Sequence, residues 1–451
     1  MSDPVVPTSE IPRTHPEIEP EPSKVADTSS RKAMFIVFLV VFIDLLGFGI
    51  VLPLLPIYGD RYVAQLVPGG KEAPAGGAIV GLLMASFSAM QFLFAPLWGR
   101  ISDRVGRRPI LLVGLAGSVV CYTVFGFASD LDPGQMALAA LVLLFVARMG
   151  AGIAGATIST AQAVIADCTT PEKRKGGMAL IGAAFGIGFT FGPLLGAGSL
   201  WFLPNHHGAI GYAAAGLSSL AFGLGCVLLP ETRRFDTAPP LKRKWFDTQA
   251  IRLALGDPSI APVVWCFFLA TLGFGGLEVT LSLLNRDALG LEERQNFLPF
   301  AYVGFVLMLT QGFLYRRLAP RFSEATFMAA GIALMGVGVA CLGVVTWMSV
   351  QSWSTPAALW TIVIFGLTAA VVGFAFLTPS AQALVSRRSD PARQGEILGV
   401  NQSASAMARI LGPILFLTLY KAHSSHLLPY ILGAGLLLAM LPLMPRIRRG
   451  G

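Results

Sequence analysis

Residues 99–109 read Gly99-Arg100-Ile101-Ser102-Asp103-Arg104-Val105-Gly106-Arg107-Arg108-Pro109. A long apolar run lies on each side, over 77–98 and 109–129. An α-helix needs ~20 predominantly apolar residues to cross a bilayer. A short basic stretch between two such runs is therefore a turn at a membrane surface, on the side where Lys and Arg collect. Gly99 and Gly106 give the backbone the freedom such a tight reversal needs.

Working outward, further apolar segments fall at 34–58, 135–166, 177–201, 208–229, 259–284, 297–315, 325–349, 356–385, 396–420 and 426–444, which makes twelve. The fourth (135–166) and tenth (356–385) are long for one crossing and are expected to project from the inner surface. If the N-terminus is inside, 26 of the 33 Lys and Arg lie on inner segments and five on outer ones, namely Arg61, Lys71, Arg286, Arg294 and Lys421. That asymmetry sets the orientation, with both termini cytoplasmic. Membrane lipids are therefore partners.

Composition agrees. The 451 residues are 54% hydrophobic and only 13% charged, with a mean hydropathy of +0.67. Soluble domains carry about 25% charged residues, so a soluble enzyme is excluded, as is a disordered chain. The 50 Gly and 30 Pro suit membrane helices. The net charge of +8 is spread over seven inner segments, and no nucleic-acid groove forms from it. The five cysteines show no metal-ligand spacing. Gly70-Lys71 is followed by Glu72, so there is no P-loop. The expectation is no enzyme, no metal and no organic cofactor.

The chain repeats itself. Ala161-Gln162-Ala163 recurs as Ala381-Gln382-Ala383, Gly192-Pro193 as Gly412-Pro413, and Gln91 as Gln311, all at an offset of 220. Leu46-Gly47-Phe48-Gly49 recurs as Leu272-Gly273-Phe274-Gly275 at an offset of 226. The organisation expected is a disordered tail at 1–30, a six-helix bundle at 31–230, a cytoplasmic linker at 231–257 and a second six-helix bundle of the same orientation at 258–451.

Of 58 charged residues only Asp44, Arg148, Glu278 and Arg409 fall well inside apolar spans. Charges there are costly and mark ion or substrate pathways. Asp44 and Glu278 can take up a proton and release it on the other side. Arg148 stays charged and can displace a proton from a nearby acid, with Asp44 the favoured partner. A static buried ion pair is the plainer reading of that couple. Arg409 serves proton coupling or a structural pairing. Gln91, Gln162, Gln382, Asn401 and Gln402 either line a cavity or bond helix to helix. Phe48 and Phe274 read as packing residues, and His206, His207, His423 and His426 as solvated residues of outer loops. Gly188, Gly192 and Gly196 are four apart and form a close-packing seam on one helix face, with Pro193 bending the helix beside it.

These stretches resemble the major facilitator superfamily. Gly99, Asp103, Arg104, Gly106, Arg107 and Arg108 match its loop signature G-x-x-x-D-R-x-G-R-R/K, and in that family the aspartate latches the start of the eleventh helix, here near Gly395. In the second half only Arg317 and Arg321 remain, with Pro320 where the acid would stand. Arg148 to Gly152 is similar to the fourth-helix motif R-x-x-x-G. Gly188, Gly192, Pro193 and Gly196 are similar to the motif of drug-exporting proton antiporters, with Ala197 in place of its last Gly; a generic small-residue interface is the alternative. Phe42 to Pro56 resembles the first helix of bacterial tetracycline-resistance-type exporters, and Asp44 falls on their first-helix aspartate.

The resemblance implies an all-α integral membrane protein of twelve helices in two parallel-repeat bundles. It implies a monomer in a bacterial inner membrane that exports amphipathic small molecules or drugs in exchange for protons. A proton-linked importer or facilitator of a metabolite is the alternative, and a non-transporting scaffold or receptor a third.

Overall fold

The computed structural model describes residues 24–169, 174–204, 206–233, 248–351, 355–390 and 393–449. Residues 1–23, most of the expected tail, lie outside them. The described residues are helical and contain no strand. The first half holds α1 (Lys24–Val51), α2 (Leu55–Leu66), α3 (Pro74–Val105), α4 (Arg107–Asp130), α5 (Pro133–Gly155), α6 (Ile158–Asp167), α7 (Arg174–Phe202) and α8 (Ala209–Leu228). A short helix α9 (Thr248–Gly256) leads to the second half. There follow α10 (Ala261–Leu289), α11 (Phe297–Leu309), α12 (Tyr315–Leu318), α13 (Glu324–Gln351), α14 (Pro356–Arg388), α15 (Gln394–Lys421), α16 (Leu428–Ala439) and α17 (Met444–Arg449).

Among the described residues, ten helices are long and apolar enough to cross a membrane. The other two expected spans correspond to α7 and to the shorter apolar stretch Leu428–Leu443.

Several elements depart from the sequence reading. Helix α1 begins at Lys24, inside the segment expected to be tail. The first span breaks between α1 and α2, where Pro53 cannot donate a backbone hydrogen bond. The fourth span is two helices, α5 and α6, separated at Ala156 and Thr157. The linker carries α9, while 234–247 lie outside the described residues. A π-turn at Thr310–Leu314 carries Gln311, the repeat partner of Gln91.

The packing shows the duplication. In the first half α1 packs on α7 and α8, and α4 on α5 and α8; in the second, α10 packs on α15 and α16, and α13 on α14 and α16. The halves meet along α3 with α15 and α7 with α11, and each pair is the other's image under the repeat. Glycines set the closest approaches. A Cβ on Gly192 would stand 2.8 Å from the Cα of Gly49, which brings α1 and α7 into backbone contact. In the second half Gly412 likewise faces Leu272 O and Gly276 N. Gly77 and Gly81 of α3 meet the backbone of Leu417 and Ile414 of α15 in the same way.

Candidate transport site

The four intramembrane charges form two clusters, one in each half. In the first, Asp44 on α1 faces Ser118 on α4, and its Oδ1 is buried without a partner. Tyr122, one turn further along α4, lies near both Asp44 and Arg148. Arg148 on α5 is buried, and its Nε and Nη1 have no hydrogen-bond partner. Its guanidinium stands 4.6 Å from the ring centre of Phe87 and 5.7 Å from that of Phe48, close enough for the ring faces to attract it.

The favoured Asp44–Arg148 pair is therefore not made. Arg148 rests on aromatic faces instead, which leaves the carboxylate free to change partner. Buried polar groups without partners are costly and usually mark a place where something binds or moves.

In the second half Glu278 on α10 and Arg409 on α15 attract one another without closing to a direct ion pair. Glu278 lines a narrow cavity with Gly49, Leu52 and Phe189 of the first half and Phe274 and Phe300 of the second. Phe274, read as a packing residue, thus faces the space between the halves while stacking on Phe374 at 4.0 Å.

The direction of Arg409 follows from its helix. Gly412 and Phe416 of α15 touch α10, and Ile414 and Leu417 touch α3. Met407, Leu411 and Leu415 are exposed on the outward face. Arg409 and Gln402 are also exposed, but the 3.6-residue period places them between the two packed faces, toward the middle of the molecule. The neutral polar residues divide. Gln91 donates to Gly155 O at 3.3 Å and bonds helix to helix, whereas Asn401 is buried with both amide atoms unpartnered. Gln162 is exposed in the middle of α6, and Gln382 is half-buried near the end of α14.

The loop at 99–109 is held within the first half. Asp103 pairs with Arg107 at 2.6 Å, and residues 391 and 392, just before α15, where the resemblance puts its latch, lie outside the described residues. Arg107 also reaches Asp167 at 3.1 Å, Arg108 donates to Cys226 O at 2.6 Å, and Arg104 is exposed.

Glu231, which the sequence reading passed over, accepts from the backbone N–H of Arg107 (2.9 Å), Arg108 (3.1 Å), Thr232 (3.0 Å) and Arg233 (2.9 Å). It caps the positive end of α4. Gly106 has φ +113, and a Cβ there would strike Glu231 Oε2 at 2.4 Å, so only glycine serves.

Burial acts to raise the Glu231 pKa, but the backbone donors outweigh it and hold the carboxyl below the usual range. A depressed carboxyl stabilises the fold above its ordinary pKa and loses that contribution as the pH falls through the folded value. Glu231→Gln is expected to lower the Tm in detergent at pH 7. The gap to the wild type should close as the pH falls below about 4.3, and a gap that persists there would contradict the capping role.

The end of the bundle away from Asp103 carries groups that the sequence reading left as loop charges. Asp60 on α2 is buried and paired with Lys421 on α15, also buried, and with Arg286 on α10 at 3.1 Å. Arg286 reaches Asp287 at 2.7 Å, and Asp287 accepts from Tyr420 at 3.1 Å. Nearby, Glu293 meets Tyr58 at 3.3 Å and His207 at 3.2 Å. His207 is thus bonded across the halves and is not a free loop histidine. A signal for this was present: at the 226 offset Asp60 aligns with Arg286. Equivalent positions of opposite charge in two parallel repeats can face each other across the pseudo-twofold axis.

With both charge clusters and both ends described, comparison with known proteins is informative. The family model described as "Major Facilitator Superfamily" matches residues 37–372 and 313–450. The chain belongs to the Major Facilitator Superfamily. It is a multi-pass membrane transporter of the tetracycline-resistance type and not an enzyme. It is 31% identical to tetracycline resistance protein, class C, from Escherichia coli, over 92% of this chain and 97% of that protein. The crystal structure of the human organic anion transporter MFSD10 (TETRAN) superposes with a TM-score of 0.62 at 26% identity, covering 92% of this chain and 99% of that one. A D-xylose-proton symporter superposes with a TM-score of 0.74 at 17% identity, over 92% and 97% of the two chains, and shows the fold alone.

Proposed function

We propose that this transporter exports amphipathic small molecules in exchange for protons, by alternating access of a site between its halves. The observation that carries the reading is the placing of one carboxylate in each half: Asp44 near Tyr122, which also neighbours Arg148, and Glu278 near an Arg409 that is not locked to it. A carboxylate in a membrane interior is costly when charged and cheaper when protonated. Proton uptake and substrate binding therefore compete for the same charge, which is what exchange needs. The closed Asp60 end suits the inward-facing half of such a cycle.

Twelve crossings, cytoplasmic termini, a bacterial inner membrane and a monomeric unit belong to this reading. So does the proton as coupling ion, with no organic cofactor, metal or nucleic acid involved.

The test is uptake into everted vesicles with an acidic lumen, using a panel of lipophilic dyes and drugs. At least one compound should accumulate only when both the gradient and the chain are present. A panel on which vesicles with and without the chain behave alike would remove the reading.

A second reading is favoured by the exposed, unpaired Arg409 and by the organic-anion label on the human relative. An anion at Arg409 would compete with ionised Glu278 and so bind together with a proton. Proton and anion would then move in the same direction. In the same vesicles an acidic lumen would drive that compound out.

A further inference from the structure

The intramembrane acids explain coupling, but they do not explain what holds one end of the bundle shut. The residues that do so are charged, largely buried and drawn from both halves. Asp60 and Lys421 each expose only 3% of their side chains, and Arg286 exposes 30%. With Asp287 they make a cluster of two acids and two bases. Asp60 is its one member from the first half, and the other three come from α10 and α15 of the second.

Two features of placement matter. Asp60 and Arg286 occupy equivalent positions of the two repeats, so they meet where the halves face one another at that end. Lys421 closes the last turn of α15, the helix whose Leu417 and Ile414 rest on Gly77 and Gly81 of α3. The bare glycines let the helices touch there, and the ion pairs lie immediately beyond that contact. Any rocking that opens this end must pull Asp60 away from both cations.

We propose that Asp60, clasped by Lys421 and Arg286, is an ionic lock that keeps the Asp60 end closed and must open in each transport cycle. A pair of this kind is suited to the task. Formed, its charges neutralise one another in a poorly hydrated place. Opened, each charge is taken up by water entering between the halves, so the open state is not penalised by stranded charges. An apolar contact would instead expose greasy surface on opening. The Tyr58–Glu293–His207 contacts join the same two halves beside it.

The proposal rests on alternating access, but its test requires neither substrate nor proton gradient. Gln65 and Arg294 are exposed on opposite halves at this end. Spin labels on Gln65→Cys and Arg294→Cys, in a background without the five native cysteines, report the separation there. The wild-type background should give mainly a short distance. Asp60→Asn leaves buried Lys421 without its carboxylate and removes the cross-half partner of Arg286, which keeps only Asp287 of its own helix; an uncompensated buried charge is strongly unfavourable, and the long-distance fraction should rise about tenfold or more. Asp60→Glu should stay mainly closed. Lys421→Met should shift the distribution the same way by a smaller amount, since Arg286 remains, and it decides the matter if Asp60→Asn does not fold. Folded variants with the wild-type distribution would overturn the lock. A failure of proton-driven uptake leaves these distances untouched, so the two ideas fail separately.

Discussion

Glu278→Gln is expected to abolish proton-driven accumulation while leaving substrate exchange intact. A gradient of two pH units carries about 2.7 kcal/mol per proton, enough for about a hundredfold accumulation at one proton per substrate. The amide keeps the size and hydrogen-bonding reach of the acid but cannot give up a proton, so the ratio should fall to about one. Exchange of labelled for unlabelled substrate needs only the rocking of the halves and should persist. The same loss in Asp44→Asn would place coupling in both halves, and a loss in one variant alone would assign it to that half. Full accumulation in both variants would remove the two acids from the mechanism. The geometry explains why the amides should be tolerated: Asp44 Oδ1 lacks a hydrogen-bond partner and Glu278 makes no direct ion pair.

Gly192→Leu is expected to prevent assembly of the first half. A Cβ at 192 falls 2.8 and 2.9 Å from the Cα and C of Gly49 and 3.0 Å from Leu46 O. These are backbone atoms and cannot rotate away, so α1 and α7 must part. Gly192→Ala should cost about 1–3 kcal/mol, the usual range for overpacking, and Leu should leave little monodisperse protein in detergent. Gly198 on the same helix has nothing within 4 Å of its would-be Cβ, and Gly198→Ala should be neutral. Equal behaviour of Gly192→Ala and Gly198→Ala in yield and Tm would show that the approach of α1 to α7 is not set by this glycine. The motif resemblance assigns these glycines to one seam, but the structure divides them. Gly188 and Gly192 meet α1, whereas Gly196 meets the ring of Phe297, across the boundary between the halves.

Much of this was legible from the residues. Apolar runs at bilayer length gave the helices, because spanning backbone must satisfy its own hydrogen bonds. Shared offsets gave the duplication, and scarcity made the four charges within apolar spans conspicuous. The breaks were less legible. Pro53 marks the first, but the split at Ala156 and Thr157 has no proline beside it.

The partners of the charges were the least legible of all. Asp44 is the partner that the residues favour for Arg148, yet the arginine rests on Phe48 and Phe87. Which of two nearby groups an arginine meets depends on the rotation of α1 against α3 and α5. That rotation is set by close contacts such as Gly49 on Gly192 and Gly152 on Phe87.

The sequence by itself determined that this is a duplicated multi-span membrane protein with acids and bases within its apolar spans, since hydropathy, charge asymmetry and repeat spacing can be read along the chain without its partners. Only the tertiary structure decided that Asp60, Arg286 and Lys421 form a largely buried cluster between the halves. Those pairings join residues as far as 361 positions apart. They depend on how two bundles lean on each other, a choice made by packing, for which no single stretch of chain carries a sign.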